Sequence, residues 1–209
     1  MVGLSPVVNR DLETLDALKR TSSDGVASPY PQRNLWKAKI RQENGLIEKD
    51  YRDAPLPFRL YGEISLHWEA EALKRLKGIE GIPVYLGRPK SHLLRMTRVP
   101  GVPLDKLRTT EVSKLCFSRL RGLLHQIHSR GVAHGDLHMR NILIDAENPY
   151  IVDFSTAYVR GRLPLLDKNF FRFFELLDLE RLYKTELKFF GSGKPPRMFY
   201  LYRLVKGIK

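Results

Sequence analysis

The chain has 209 residues, with 36 lysines and arginines against 23 aspartates and glutamates, and its formal net charge is +13. One cysteine, Cys116, excludes a disulfide framework and a metal site built from several cysteines. No stretch approaches the roughly 18 uninterrupted apolar residues of a membrane-spanning helix, and the first residues lack the pattern of a secretory signal. We therefore expect a cytoplasmic globular protein whose positive charge attracts an anionic partner.

The first half of the sequence predicts short strands and helices. Asn44-Gly45 is a strong hairpin turn signal between two extended runs, and Arg88-Pro89 predicts a second turn. Ile64, Trp68 and Leu76 lie at helical spacing in a longer segment. In chain order, the predicted elements are a helix over 9–20, a loop over 21–33, strands over 35–41 and 46–51, a helix over 63–77, and strands over 84–87 and 92–96.

The second half predicts mainly helices and one small hairpin. A segment rich in proline and glycine, 99–103, is the predicted boundary between two lobes. The hairpin is predicted around Pro149, which separates two short apolar runs. The predicted helices cover 112–127, 167–190 and 196–206. Strands that precede helices in this segregated order indicate an α+β architecture.

The most informative segment joins polar residues at fixed spacing in an apolar context. It reads His-Gly-Asp-Leu-His-Met-Arg-Asn over residues 134–141 and Asp-Phe-Ser over 153–155. It resembles the catalytic loop and metal-binding motif of protein-kinase-like phosphotransferases, H-R-D-L-x-x-x-N followed by D-F-G. The resemblance implies a two-lobed kinase-like fold, with a strand-rich N-lobe over 1–98 and a mainly helical C-lobe over 99–209.

The resemblance also implies ATP and Mg²⁺ as cofactors and a role for each motif residue. Phosphoryl transfer needs positioning and charge neutralisation more than covalent chemistry. Asp136 would accept or orient the proton of the acceptor hydroxyl. Asn141 and Asp153 would offer oxygen ligands to Mg²⁺, a hard cation. Taken singly, each of these residues is an ordinary turn or cap residue.

Upstream residues extend the same resemblance. Lys49 would bind the ATP phosphates, and a carboxylate of the next helix would hold it, with Glu69 chosen and Glu71 as the alternative. Backbone groups from Met96 to Arg98 would bind the adenine. Solvated surface residues are the competing interpretation of this lysine and glutamate.

Departures from the kinase pattern narrow the class. There is no G-x-G-x-x-G before Lys49, and residues 21–28 lie where a phosphate-covering loop would be. Gly135 replaces the arginine of H-R-D, Ser155 replaces the glycine of D-F-G, and no A-P-E follows, which indicates a reduced activation segment. The chain is similar to RIO-like atypical kinases and to bacterial lipopolysaccharide (Kdo/heptose) kinases. The implied acceptor is either a protein serine or threonine or a lipopolysaccharide core sugar.

Several interpretations stay open at this point. Asp178 either braces the catalytic loop or is a surface carboxylate, and His134 with His138 forms either loop structure or a metal pair. The basic, aromatic tail over 191–209 either docks on the C-lobe or lies peripherally on an anionic membrane surface. A nucleotide-binding scaffold without catalysis is the alternative function. Nucleic-acid binding rests on charge alone and is not expected.

Overall fold

A computed structural model describes residues 37–163 and 165–191. The described residues form an antiparallel sheet with one helix, followed by a mainly helical part with two small sheets. The predicted α+β kinase-like class is confirmed. The predicted helices over 9–20 and 196–206, the loop over 21–33 and the basic tail after Gly191 lie outside the described residues.

The first sheet has four strands in the order β1-β2-β4-β3. The turn at Asn44-Gly45 is where the sequence predicts it, with positive φ angles of 48° and 74°. Lys49 on β2 pairs in register with Leu94 on β4, so the lysine lies in the middle of the sheet. The strand bounds are β1 Lys39–Glu43, β2 Leu46–Asp50, β3 Tyr85–Lys90 and β4 Leu93–Thr97.

Helix α1, Leu56–Arg75, begins seven residues before the predicted start. Pro57 fits the first turn, where a backbone N–H has no helical partner. Leu60 and Ile64 remain 56% and 58% exposed. Ile64 thus lies on the solvent side of α1, although it shares the helical spacing of Trp68 and Leu76.

The packing of α1 on the sheet depends on a glycine. A β-carbon at Gly62 would lie 2.4 Å from the ring of Tyr51, which follows β2 and is buried. The missing side chain lets the ring lie directly against the helix. This contact fixes α1 near the strand that carries Lys49, two helical turns before Glu69.

Two predicted turns are displaced. Arg88 and Pro89 belong to β3, and the turn lies at Ser91-His92. Pro149 does not separate the strands of the second hairpin but lies in its second strand, Asn148–Ile151, which is an edge strand, opposite Ile144. An edge strand tolerates proline because the missing N–H removes no ladder hydrogen bond there.

The second part of the chain is built around two long helices. Helix α2, Lys114–Ser129, starts at Ser113, whose hydroxyl accepts a hydrogen bond from the Cys116 N–H at 3.1 Å. Helix α3, Asp167–Phe190, matches its predicted bounds. The remaining strands are β5 Val102–Pro103, β6 Val132–Ala133, β7 Ile142–Asp145, β8 Asn148–Ile151 and β9 Tyr158–Val159.

One hydrophobic core spans both parts. It includes Leu66 of α1, Leu94 of the sheet, Phe117 of α2 and Phe154, all at most 1% exposed. The segment that carries the kinase-like motif is therefore packed against this core. None of the helices over 37–163 and 165–191 is long and apolar enough to cross a membrane.

Candidate active site

Lys49 lies between two carboxylates. Its Nζ atom is 2.6 Å from Glu69 Oε1 and 2.7 Å from Asp153 Oδ1. These residues come from β2, from α1 and from the turn after β8. The fold thus brings together three of the predicted site residues, which are up to 104 positions apart.

Burial and charge act in opposite directions on this group. Burial disfavours the charged form of Lys49, but Asp153 and Glu69 outweigh that effect and raise its pKa above the usual value. The Lys49 ammonium holds the pKa of Asp153 well below its usual range. Burial raises the pKa of Glu69. Lys49 and Asp153 are therefore both ionised at neutral pH.

The two glutamates that the sequence offers as partners of Lys49 have different surroundings. Glu69 is fully buried and contacts Lys49, whereas Glu71 forms an ion pair of 2.7 Å with Lys74 one turn along α1. A backbone hydrogen bond from Phe154 also reaches the Glu69 carboxylate and opposes the effect of burial on its pKa.

The catalytic loop positions Asp136 and Asn141 on one short stretch. The Asn141 side chain donates from Nδ2 to the Asp136 carbonyl at 2.9 Å, which holds the loop closed. Its Oδ1 atom is then the end of the amide that is able to bind a cation. Asp153 lies across from the loop with a left-handed φ of 66°.

Asp178 braces the loop from α3. Its carboxylate accepts the His134 N–H at 2.7 Å and the Gly135 N–H at 2.8 Å, and His128 lies 3.0 Å away. The residue is completely buried. The bracing interpretation of Asp178 is therefore correct, and the interpretation as a surface carboxylate is wrong.

His134 is a structural residue rather than half of a metal pair. Its Nε2 atom lies 2.9 Å from the Val152 carbonyl, and its Nδ1 atom accepts the Asp136 N–H at 3.3 Å. Both ring nitrogens are thus used inside the loop. No cluster of three or more histidine, cysteine, aspartate or glutamate side chains suited to a metal occurs in the described part of the chain.

Steric contacts explain why residue 135 is glycine, where the kinase motif has arginine. Gly135 has a φ of +77°, and a β-carbon there would lie 2.7 Å from the Thr156 carbonyl and 3.0 Å from the ring of Phe174. No side chain fits between the loop and α3 without movement.

The sequence did not single out Arg181 as a site residue. The Arg181 guanidinium on α3 donates from Nη1 to Asp136 Oδ1 at 2.5 Å, and His138 Nε2 lies 2.9 Å from the same oxygen. Arg181 follows Asp178 by three positions on the same helix, so both residues point toward the same loop. The three-residue spacing from Asp178 is the sequence signal that could have identified Arg181.

The predicted adenine-binding segment lies at the end of β4. Met96 is buried, and the Arg98 N–H donates to the Gly45 carbonyl at 2.7 Å. This N–H is used within the sheet, so Arg98 offers its carbonyl rather than its N–H to a ligand. The adenine contacts of Met96 and Arg98 stay a prediction.

The segment after Asp153 is short and is held against α1. The Ser65 hydroxyl donates to the Ser155 carbonyl at 3.0 Å, and the Arg162 guanidinium lies 4.4 Å from the centre of the Trp68 ring. Helix α3 begins at Asp167. The expected reduction of the activation segment agrees with this geometry.

The fold and the arrangement of Lys49, Glu69, Asp153 and the catalytic loop define a protein-kinase-like chain. A family model described as the RIO domain matches residues 39–165, which is more than half of the chain. The chain belongs to the RIO family of atypical kinases. The predicted resemblance to that family is confirmed.

The matches to curated proteins cover only a part of the length of those proteins. A protein of Methanosarcina acetivorans, named a probable bifunctional tRNA threonylcarbamoyladenosine biosynthesis protein, is 32% identical over 101 residues, which are 48% of this chain and 18% of that protein. A protein of Methanosarcina barkeri with the same name is 40% identical over 65 residues, 31% of this chain and 11% of that protein. The chain thus spans at most about a fifth of these relatives.

Solved structures show the same fold. The Rio2 kinase from Chaetomium thermophilum, in a complex with ADP/Mg²⁺ and phosphoaspartate, aligns with a TM-score of 0.62 at 19% identity. The alignment covers 95% of this chain and 66% of that chain. A second structure of the same kinase aligns with a TM-score of 0.60 at 18% identity, over 92% of this chain and 66% of the other.

Proposed function

We propose that the chain is an ATP- and Mg²⁺-dependent phosphotransferase that moves the γ-phosphate of ATP to a hydroxyl acceptor. The observation that carries this proposal is the buried Lys49, held at 2.6 and 2.7 Å by Glu69 and Asp153. A charged lysine in such a position suits a polyanionic ligand. Family membership supports the same activity.

The residues present fit a magnesium nucleotide. Asn141 and Asp153 would hold Mg²⁺, because an amide oxygen and an ionised carboxylate are ligands that this cation prefers. Bound there, Mg²⁺ would neutralise phosphate charge. Lys49 would bind the phosphates of ATP, and Glu69 would hold Lys49 in place.

The proposed step balances as a simple displacement. The oxygen of the acceptor hydroxyl forms a bond to the γ-phosphorus, the bond from that phosphorus to the β,γ-bridging oxygen breaks, and ADP leaves. Asp136 orients the hydroxyl and takes its proton. Because such transition states are loose, orientation contributes more than strong basicity, so the ion pair of Asp136 with Arg181 is compatible with this role.

Two acceptors are proposed, a protein serine or threonine and a lipopolysaccharide core sugar. The short segment between Asp153 and α3 supports an acceptor that needs little peptide-docking surface. Because the curated relatives are named tRNA threonylcarbamoyladenosine biosynthesis proteins, the proposal also includes a role associated with tRNA modification. A cytoplasmic location and peripheral membrane contact of the tail likewise stay proposals.

A labelling experiment tests the proposed activity. The full chain is incubated with Mg²⁺ and γ-labelled ATP, alone, with a generic protein acceptor or with dephosphorylated lipopolysaccharide. We expect transfer to one acceptor, and its loss in Asp136→Asn and in Asp153→Ala. Asp53→Asn is the matched control, because Asp53 forms only an exposed ion pair with Lys39.

The outcomes separate the candidate functions. Transfer that survives both substitutions would contradict the assigned roles. Binding of ATP without transfer to any acceptor would favour the nucleotide-binding scaffold. Label in one acceptor arm alone would decide between protein and sugar.

A further inference from the structure

Three polar side chains converge on the acceptor side of the candidate site. Asp136 Oδ1 contacts Arg181 Nη1 and lies 2.9 Å from His138 Nε2. Arg181 Nη1 also lies 2.9 Å from His138 Nε2. The side chains of Asp136 and Arg181 are 36% and 31% exposed, so this cluster is open to an incoming molecule.

The position of Arg181 is fixed by the fold. Asp178, three residues earlier on α3, is fully buried and binds the backbone of the catalytic loop. One turn later, the same helix face presents Arg181 to the side chain of Asp136. The contact therefore differs from a surface ion pair such as Arg121–Glu186, which joins two helices outside the site.

The guanidinium has more donors than this contact uses. Among the described residues, the side-chain hydrogen bonds of Arg181 all use Nη1. A guanidinium carries five N–H donors in a planar fork that matches phosphate and carboxylate groups. The Asp136 carboxylate already occupies one side of that fork, so a second anion is the chemistry that suits the other side.

The surrounding charge supports an anion. His138 and Arg140 lie on the exposed surface of the catalytic loop beside Asp136. The steric contact at Gly135 excludes an arginine from the loop position before Asp136. The cation that contacts Asp136 comes instead from α3, as Arg181.

We propose that Arg181 is a specificity residue that binds a phosphate or carboxylate group carried by the acceptor, next to the hydroxyl presented to Asp136. This inference rests on the proposed function, because it takes Asp136 as the residue that meets the acceptor. A neutral acceptor would leave the free side of the fork without a partner. A charge-assisted contact of this kind changes affinity by about tenfold to a hundredfold.

A binding experiment tests the proposal without relying on turnover. The full chain is saturated with Mg²⁺ and β,γ-imido-ATP, which fills the nucleotide phosphate site, and inorganic phosphate is then titrated by calorimetry. We expect Arg181→Leu to weaken phosphate binding at least tenfold and Arg181→Lys to retain part of it. Arg121→Leu is the matched control and should bind phosphate like the unchanged chain.

The same titration distinguishes the sources of the anion. One pair of probes is glycerol 3-phosphate against glycerol, and the other is a serine peptide flanked by aspartates against the same peptide flanked by asparagines. Tighter binding of the charged member of either pair, lost in Arg181→Leu, supports the proposal and identifies the source. Equal binding of charged and neutral members in both pairs overturns it.

The two proposals fail in different ways. A chain that does not bind the ATP analogue overturns the proposed function and this inference with it. A chain that binds the analogue, but whose phosphate affinity is the same in Arg181→Leu, overturns the role of Arg181 alone.

Discussion

On the nucleotide side of the candidate site, Lys49 and Glu69 are almost removed from water, with side-chain exposures of 11% and 1%. On the acceptor side, Arg181 and Asp136 keep 31% and 36% of their side-chain surface exposed. Both sides consist of a cation held by a carboxylate at 2.5–2.6 Å. The two pairs thus differ mainly in their contact with solvent.

That difference has energetic consequences. A buried ion must keep its partner, because water cannot replace it. A partly exposed ion exchanges one partner for another at small cost, since water compensates the lost contact. The nucleotide side is therefore built to keep one geometry, and the ion pair of Asp136 with Arg181 tolerates a change of partner.

The largest effect is expected from removing one cation on each side. Lys49→Met should lower the free energy of unfolding by about 3–5 kcal/mol, because Glu69 loses its partner in a buried position. Arg181→Met should lower it by less than about 1 kcal/mol, as for partly exposed pairs. Urea denaturation of both variants at neutral pH measures the difference, and equal losses would contradict the comparison.

The second effect concerns the backbone of the acceptor side. Gly135→Ala should cost about 2 kcal/mol or more, because the positive φ and the Thr156 carbonyl at 2.7 Å leave no room for a methyl group. Gly122→Ala, in α2 with nothing within 4 Å of its β-carbon, should stabilise by roughly 0.5–1 kcal/mol. Thermal unfolding of the two variants checks the opposite signs.

Local spacing explains what the sequence could predict. Asp136, Asn141 and Asp153 lie close together in the chain, and their residue types reflect the same chemistry. Lys49 and Glu69 could be predicted because the strand and helix that carry them follow one another. Helix α3 could be predicted to the residue, since Gly191 ends it with a left-handed φ of 64°.

Long-range packing explains what the sequence could not predict. The contact of Arg181 with Asp136 joins residues 45 positions apart, and a helix pattern does not show which face meets the loop. The first two turns of α1 escape the sequence pattern because Leu56 and Leu60 are exposed and show no buried face. The shape of the space around Gly135 depends on Phe174 from α3, which only the folded chain brings there.

A smaller effect is expected where α1 meets the segment after Asp153. Ser65→Ala removes the hydroxyl that donates to the Ser155 carbonyl at 3.0 Å and should cost about 1 kcal/mol. Ser118→Ala, at an exposed position of α2, shares the change in helix propensity without this hydrogen bond. The difference between the two variants in urea denaturation isolates the contact, and no difference would show that α1 is held by other packing alone.

The smallest effect is the acid dependence of the nucleotide side. Lys49 lowers the pKa of Asp153, so the stabilisation from this carboxylate is present above its unfolded value of about 3.9 and is lost as the pH falls through the lower folded-state value. Glu69 acts in the opposite direction, because burial raises its pKa and its protonation on acidification favours the folded state. The two terms partly cancel, which keeps the net change small. Asp153→Asn should therefore be less stable than the unchanged chain at pH 7, and the gap in urea midpoint should begin to narrow below about pH 4. Asp53→Asn, which removes an exposed ion pair with Lys39, should show a smaller gap throughout; a gap for Asp153→Asn that does not narrow with acid would mean that Lys49 does not hold this carboxylate ionised.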